Sequence, residues 1–342
     1  MTQKKQHVLV TGGGGFLGKA IVKQLIASNT FAVKSFSRHM YPELEALGVE
    51  QIQGDIRDSS RVEHACRGID LVFHVAAKTG MWGKYNDYYQ TNFIGTKNVL
   101  NACQMHNVSR LVYTSSPSVI FDGSDANGID ESALYPKAYH SLYSKTKAIA
   151  EQAVIKAAGS HLKTIILRPH LIWGPEDTNL VPRIIARAKQ LVIVGNGDNL
   201  VDTLYIDNAA DAHILAAAKL HENPHLSGKI FFISQDEPVY LWDMINNILK
   251  AGGHKPVKRK IPKQVAFLAG ALFELTFSIL NIKKEPRITR FVAKELASSH
   301  WFDITAAKRD LGYIPKVSIQ EGLIRLEAWL NTHQLIKTRK LP

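Results

Sequence analysis

The run Thr11-Gly12-Gly13-Gly14-Gly15-Phe16-Leu17-Gly18 constrains this chain more than any other stretch. It follows the apolar segment His7-Val8-Leu9-Val10 and precedes a helix-like segment over residues 19–27. Strand, glycine turn and helix, in that order, open a βαβ unit that takes a dinucleotide. Gly12 permits the tight turn, Gly15 lets the backbone approach a pyrophosphate at the helix N-terminus, and Gly18 allows close helix–strand packing. A glycine-rich turn with no ligand would not need strand, spacing and helix to agree.

The same rhythm runs through the first half. Residues 7–11, 31–36, 71–75, 111–114 and 164–167 are strand-like and continuously apolar, as in strands buried on both faces. Helical stretches at 19–27, 91–105 and 144–158 lie between them. The pattern predicts an α/β fold: a Rossmann-like, doubly wound parallel sheet with its ligand crevice at the strand C-terminal ends. After Pro175 the rhythm breaks. A smaller, interleaved, mainly helical substrate part is expected from 176–201 and 235–342, with 202–234 returning to the nucleotide-binding unit of 1–175. Asp207 reads as a helix N-cap. Ser318-Ile319-Gln320-Glu321 reads as a capping box opening a last helix to about Leu330.

Hydrophobic residues make up 45% of the 342, enough for a sizeable core. Two cysteines, Cys66 and Cys103, are too few for a disulfide framework and read as small core residues of a cytoplasmic protein. The N-terminal apolar run is too short for a signal peptide. The net charge of +12 comes without aromatic–basic interleaving or a finger motif, so no nucleic acid is expected. A nucleotide, an acidic substrate or an anionic membrane face would each suit the excess.

An NAD site usually carries an Asp or Glu about 20 residues after the glycine loop, on the ribose 2′-hydroxyl. No carboxylate precedes Glu43, and the second strand ends in Ser37-Arg38. Arg38 is either a solvated arginine or the partner of a 2′-phosphate; the missing acid favours the second, hence NADPH.

A ketone that receives hydride becomes an alkoxide and needs a proton. A free phenol has a pKa of about 10, poorly matched to neutral pH. Tyr143 is followed four residues later by Lys147, on the same helix face, whose charge is expected to lower that pKa. Lys147 can also hold the nicotinamide ribose, while Lys145 points elsewhere. Ser116, in Tyr113-Thr114-Ser115-Ser116-Pro117, follows a strand end and can hydrogen-bond the substrate oxygen, with Ser115 as the alternative. Such Tyr–Lys spacings arise by chance on many helix surfaces. The glycine loop and serine-bearing strand, in this chain order, point instead to a nicotinamide-dependent oxidoreductase.

These motifs resemble the extended short-chain dehydrogenase/reductase family over nearly the whole chain. Asp55-Ile56 stands where the family's adenine-contacting acid lies, Val75-Ala76-Ala77-Lys78 at its nicotinamide-side strand and Asn92 at its helix asparagine. Leu167 and Arg168-Pro169 through Gly174-Pro175, Tyr205-Ile206-Asp207-Asn208, Trp301-Phe302-Asp303 and Leu311-Gly312-Tyr313-Ile314-Pro315 resemble its later signatures. The resemblance implies cofactor contacts at Gly12, Gly15, Phe16, Leu17, Gly18, Ser37, Arg38, Asp55, Ile56, Ala76, Ala77, Lys78, Asn92, Ser115, Pro169 and Ile172.

After the serine the chain reads Val119-Ile120-Phe121-Asp122-Gly123, unlike the Val-Tyr-Gly of sugar-nucleotide epimerases and similar to the 3β-hydroxysteroid and sterol-4-carboxylate dehydrogenase branch. Tyr41-Pro42-Glu43-Leu44, Ala77-Lys78-Thr79-Gly80-Met81-Trp82-Gly83, Leu171-Ile172-Trp173-Gly174-Pro175 and Val201-Asp202-Thr203-Leu204-Tyr205 are similar, within that branch, to bacterial reductases of 2-alkyl-3-oxoalkanoates. That likeness implies reduction of a branched β-keto acid by NADPH in olefinic hydrocarbon biosynthesis. It also implies a homodimer built from two helices per subunit. The implied partners are a thiolase-like condensing enzyme, a β-lactone synthetase and a β-lactone decarboxylase. The chain departs at His170, where this subgroup has arginine, so the group holding the substrate carboxylate stays open. A 3-oxo acid loses carbon dioxide readily because its ketone accepts the electrons; reduction removes that sink and preserves the carboxylate.

Met81, Trp82 and Trp173 are candidate walls of an alkyl pocket, or plain core residues. Residues 265–280 are apolar almost all round, and too few to span a bilayer of roughly 20 residues' thickness. They read as a buried helix, or as a lid over alkyl chains touching a membrane. Lys255, Lys258, Arg259, Lys260 and Lys263 beside them would meet anionic lipid or simply be solvated.

Overall fold

A computed structural model describes residues 5–339. Its centre is a seven-stranded sheet of β1 (Gln6–Thr11), β2 (Phe31–Ser37), β3 (Glu50–Gln53), β4 (Leu71–His74), β5 (Arg110–Thr114), β6 (Lys163–Pro169) and β7 (Ile230–Ile233). All pairs are parallel, in the order β3-β2-β1-β4-β5-β6-β7. The order reverses between β1 and β4, and that reversal opens the crevice of a doubly wound sheet.

The continuous apolar runs have a simple cause. Neighbouring residues of a strand face opposite sides of the sheet. Leu9, Val72, Leu111, Tyr113 and Ile166 point into one apolar layer, packed on α2 (Ser59–Cys66), α3 (Gly95–Met105) and α4 (Leu142–Ala157). Val8, Val10, Phe73, Val112, Ile165 and Leu167 point into the other, with α1 (Phe16–Ala27) and α5 (Ile206–Glu222). Both faces exclude water, so both must be apolar. Each such Leu, Ile or Val stabilises the fold by roughly 1.5–3 kcal/mol. Cys66 and Cys103 are buried, unbridged thiols of the first layer.

Several expectations are corrected. β3 was not legible in the sequence: Glu50-Gln51-Ile52-Gln53 has one apolar residue, because an edge strand need bury little. Tyr205, not Asp207, is the N-cap residue of α5; Asp207 lies in the first turn and pairs with Arg325 at 3.2 Å. The last helix, Ile319–Arg339, runs past Leu330. Its capping box is half formed: Ser318 Oγ accepts from the Glu321 amide at 3.1 Å, while the Glu321 carboxylate turns to Arg325 at 2.8 Å.

Beyond the large sheet, Val239–Tyr240, Leu200–Val201, His300–Phe302 and Ala126–Ile129 form a small four-stranded sheet. Phe232 of β7 stacks on Phe302 with ring centroids 4.5 Å apart, joining the two sheets. α6 (Leu241–Ala251), α7 (Lys263–Ile279) and α8 (Arg290–Glu295) complete this side. The buried-helix reading of residues 265–280 fails: within α7 only Ala266 and Gly270 are buried. Gly270 lies against the Thr289–Arg290 backbone, where a Cβ would sit 2.7 Å from the nearest atom. No helix among the described residues is long and apolar enough to cross a membrane.

Candidate active site

The C-terminal ends of β1, β2, β4, β5 and β6 open on a cleft of about 750 Å³. Its wall contains Gly12, Gly15, Phe16, Leu17, Gly18, Ser37, Arg38, Asp55, Ile56, Ala76, Ala77, Lys78, Ser115, Ser116, Tyr143, Lys147, Pro169 and Ile172. The sequence scatters these residues over 160 positions; parallel strands bring them to one edge.

Local forces shape the glycine loop. Gly12 has φ +72°, and a Cβ there would sit 3.0 Å from the Ala76 backbone, so the loop is pressed onto the end of β4. A Cβ on Gly18 would collide with the Gly12 carbonyl oxygen, which is how α1 reaches the strand. The turn closes through Gly15 N–H to Gly12 O at 2.8 Å. No acidic side chain lies in the first turn of α1, so its amides and the positive end of its dipole face the cleft unopposed. The cradle fits a pyrophosphate.

At the β2 end, Ser37 Oγ accepts from the Gly14 amide at 3.2 Å. Asp55 is gripped by Arg57 through contacts of 2.9 and 2.6 Å, which hold its carboxyl below the usual range despite partial burial. Arg57 is a cleft residue that sequence reasoning missed, although Asp55-Ile56-Arg57 carries the signal. The exposed Arg38 guanidinium makes no ion pair among the described residues.

The opposite end is built by α4. Ser141 caps it, accepting from the Ser144 amide at 3.0 Å, and so fixes the first turn that carries Tyr143. Tyr143, Lys147 and Glu151 follow at intervals of four on one face. Lys147 Nζ donates to the Tyr113 hydroxyl at 2.7 Å and to the Thr114 carbonyl at 2.6 Å. Burial pulls its pKa down to about 7, against the attraction of Glu151. Glu151 itself accepts from Nη2 and Nε of Arg168, at 2.5 and 3.1 Å, and from the Tyr135 hydroxyl at 2.6 Å.

Burial pushes Tyr143 up to about 12, with the neighbouring Ser116 hydroxyl opposing. The expectation that Lys147 lowers this phenol is therefore overturned. The ammonium is spent on Tyr113 and Thr114, and desolvation dominates. Tyr113, fully buried two residues before Ser115, was not recognised as a support of this lysine. Ser116 caps the turn Pro117–Val119 and bonds Ser118 Oγ at 3.0 Å. The Ser115 hydroxyl is buried without a partner.

Four expected contacts take other places. Asn92 is not on the cleft wall. From the π-helical segment Tyr89–Ile94 its Oδ1 accepts from Lys78 N–H at 2.7 Å, and its Nδ2 donates to Lys78 O at 3.1 Å and Thr146 Oγ1 at 3.0 Å. It clamps the Lys78 backbone to α4. Trp173 is buried, edge-on to Tyr205 at 5.3 Å; it is a core residue, not a cleft wall, because it sits on the short strand Ile172–Trp173, where Ile172 faces the cleft and the next side chain turns inward. Met81 and Trp82 also lie off the wall. Trp82 Nε1 donates to Ile282 O at 3.0 Å and its ring meets Phe277 edge-on, tying this loop to the end of α7.

His170 bonds His300 at 2.7 Å, and His300 bonds the Glu295 carbonyl at 3.1 Å. Burial lowers both imidazoles, so the position offers a neutral ring where the subgroup has arginine.

A parallel sheet switching at β1/β4, a glycine cradle and a Tyr–Lys helix in one cleft define a dehydrogenase of the short-chain type. A family model described as the 3-beta hydroxysteroid dehydrogenase/isomerase family matches residues 9–263. The chain belongs to that family, and it is an oxidoreductase. It is 49% identical to the 2-alkyl-3-oxoalkanoate reductase of Shewanella oneidensis, over 96% of this chain and 88% of that one. The protein of the same description from Stenotrophomonas maltophilia is 47% identical, over 94% and 98%. Among solved structures, the UDP-glucuronic acid 4-epimerase of Bacillus cereus in complex with NAD superposes with a TM-score of 0.73 at 23% identity, covering 96% and 99%. That likeness concerns the fold.

Proposed function

We propose that this protein reduces the ketone of a 2-alkyl-3-oxoalkanoate to the 3-hydroxy acid, with NADPH, in long-chain olefin biosynthesis. The observation that carries the reading is the Tyr143 phenol beside the Ser116 hydroxyl, in the same cleft as the glycine cradle. The names of the two bacterial relatives supply the substrate class. Arg38 and Arg57 at the β2 end, with Asp55 already neutralised, support a 2′-phosphate and hence NADPH over NADH. Gly12, Gly15 and the first amides of α1 would hold the pyrophosphate, and Lys147 and Lys78 would face the nicotinamide end.

A bound nicotinamide supplies the hydride. Ser116 bonds the ketone oxygen, and Tyr143 gives it a proton as it becomes an alkoxide. The raised phenol is protonated at neutral pH. A group held near pKa 12 still gives its proton readily to an alkoxide, a far stronger base. At neutral pH the same phenol is a poor base for removing an alcohol proton.

We further take residues 1–175 with 202–234 as the NADP-binding unit and the remainder as the substrate part. The protein is placed in the cytoplasm as a homodimer, acting beside a thiolase-like condensing enzyme, a β-lactone synthetase and a β-lactone decarboxylase. The family description favours a second reading, a 3β-hydroxysteroid or sterol-4-carboxylate dehydrogenase. Cofactor oxidation with a synthetic 2-alkyl-3-oxo acid, run beside a 3-oxosteroid and with product stereochemistry resolved, separates them. Turnover of the branched acid alone supports the reduction proposed; turnover of the steroid alone overturns it.

A further inference from the structure

The outward face of α7 has no partner among the described residues. Val265, Leu268, Leu272, Leu275 and Ile279 follow at alternating spacings of three and four, which places them on one stripe. They are 50, 66, 63, 58 and 72% exposed, and Leu280, just past the helix end, is 68% exposed. Side chains of this size are scattered singly on most protein surfaces; five in one row are not.

The charge around the stripe identifies its occupant. Residues 255–294 hold ten lysines and arginines against two glutamates, a surplus of eight within a whole-chain net of +12. Both glutamates are already matched, Glu274 by Arg290 and Glu285 by Arg183. Lys255, Lys258, Arg259 and Lys263 stand before the helix or at its start, and Lys283, Lys284 and Arg287 just after it. All seven are exposed, and none forms an ion pair among the described residues. An apolar stripe with free cations at both ends matches a bilayer whose surface is anionic and whose interior is apolar. A protein partner would need acidic groups at both ends of an apolar groove. The bilayer supplies that arrangement everywhere along its surface.

Two of the contacts that hold the helix fix its two halves. Gly270 lets it pack on the start of α8, and the bond from Trp82 to Ile282 ties its C-terminal end to the loop after Lys78, at the cleft. Its 17 residues extend about 25 Å, so it lies along a surface.

We propose that α7 docks the protein on anionic lipid bilayers, inserting Val265, Leu268, Leu272, Leu275 and Ile279 between headgroups while the flanking cations meet the lipid charge. The proposal is independent of which ketone is reduced.

The test is vesicle co-sedimentation of the full chain. Vesicles of phosphatidylcholine alone are compared with vesicles containing one-third phosphatidylglycerol, at low and high salt. The wild type should bind the anionic vesicles at least tenfold more tightly, and binding should weaken as salt rises. Lys283→Gln/Lys284→Gln/Arg287→Gln should lower that affinity on the order of a hundredfold. Leu272→Ser/Leu275→Ser should lower it at least tenfold on both vesicle types. Both variants alter exposed side chains, and unchanged thermal unfolding confirms that each is folded. Equal binding to neutral and anionic vesicles, no binding to either, or variants that bind like the wild type would overturn the proposal. So would a vesicle-free dimer that Leu272→Ser/Leu275→Ser turns into monomer, since the stripe would then be a protein interface.

Discussion

Tyr143 and Lys147 stand one helical turn apart, yet burial moves their acidities in opposite directions. The phenol rises to about 12 and the ammonium falls to about 7, so at neutral pH the tyrosine is a full acid and the lysine is only partly charged. Tyr143→Phe removes the proton donor and leaves the glycine cradle intact. Turnover should fall by about a thousandfold or more while cofactor binding, followed by fluorescence titration, stays within about twofold. Retention of most activity would remove the acid from the scheme. Arg38→Ala should raise KM for NADPH roughly ten- to a hundredfold, the worth of one charge-assisted bond, and leave KM for NADH nearly unchanged. Equal effects on both coenzymes would count against a phosphate contact.

Helix α4 connects the reacting end of the cleft to the core. Its first turn carries Tyr143, and its buried face carries Lys147 and then Glu151, which meets Arg168 of β6 with both partners almost wholly excluded from water. Arg168 is also enclosed by the rings of Tyr135 and Phe232, at 5.8 and 5.2 Å. Arg168→Met would leave Glu151 charged and buried without its partner. Stability should drop by about 3–5 kcal/mol in denaturant unfolding. Adding Glu151→Leu should restore part of the loss, because the isolated charge is then gone. If the single variant is as stable as the wild type, the pair does not hold α4 against β6.

For the molecule as a whole, two buried groups give stability opposite slopes with pH. Glu295 is pushed by burial up to about 8, above its ordinary 4.5. The folded state then binds that proton more tightly than the unfolded chain, so this contribution is full below pH 4.5 and is lost as pH rises to about 8. Lys147 lies near 7, below its ordinary 10.5, so the unfolded chain holds more protons between those values. That contribution makes stability rise with pH from about 7 to 10.5. Glu295→Gln should flatten the decline below pH 8, and Lys147→Met should remove the rise above pH 7. Urea unfolding from pH 5 to 10 reads both, and unchanged slopes in either variant would refute the corresponding assignment.

The sheet and most of the cleft wall were legible because their causes are local. Strands buried on two faces must be apolar without alternation, and the loop must be glycine where it turns tightly at Gly12, leaves room for a pyrophosphate at Gly15 and packs α1 on the strand at Gly18. Chain order then places the serine strand and the Tyr–Lys helix in one crevice. By contrast, β3 at the sheet edge, the strand Ala126–Ile129 and the core position of Trp173 depend on neighbours distant in sequence, and the local pattern is silent about them. The same holds for the acidity of Tyr143, which follows from what surrounds the phenol and not from the spacing to Lys147. The face of α7 is the sharpest case. An all-round apolar helix has the same sequence whether it is buried or exposed, and only the packing of Gly270 on α8 decided which residues were left to face outward. Sequence by itself determined the nucleotide cradle and the order of the chemistry, since both are written in backbone and residue type. Tertiary structure alone decided burial, and with it every shifted acidity and the exposed stripe, because burial is set by contacts between segments far apart in the chain.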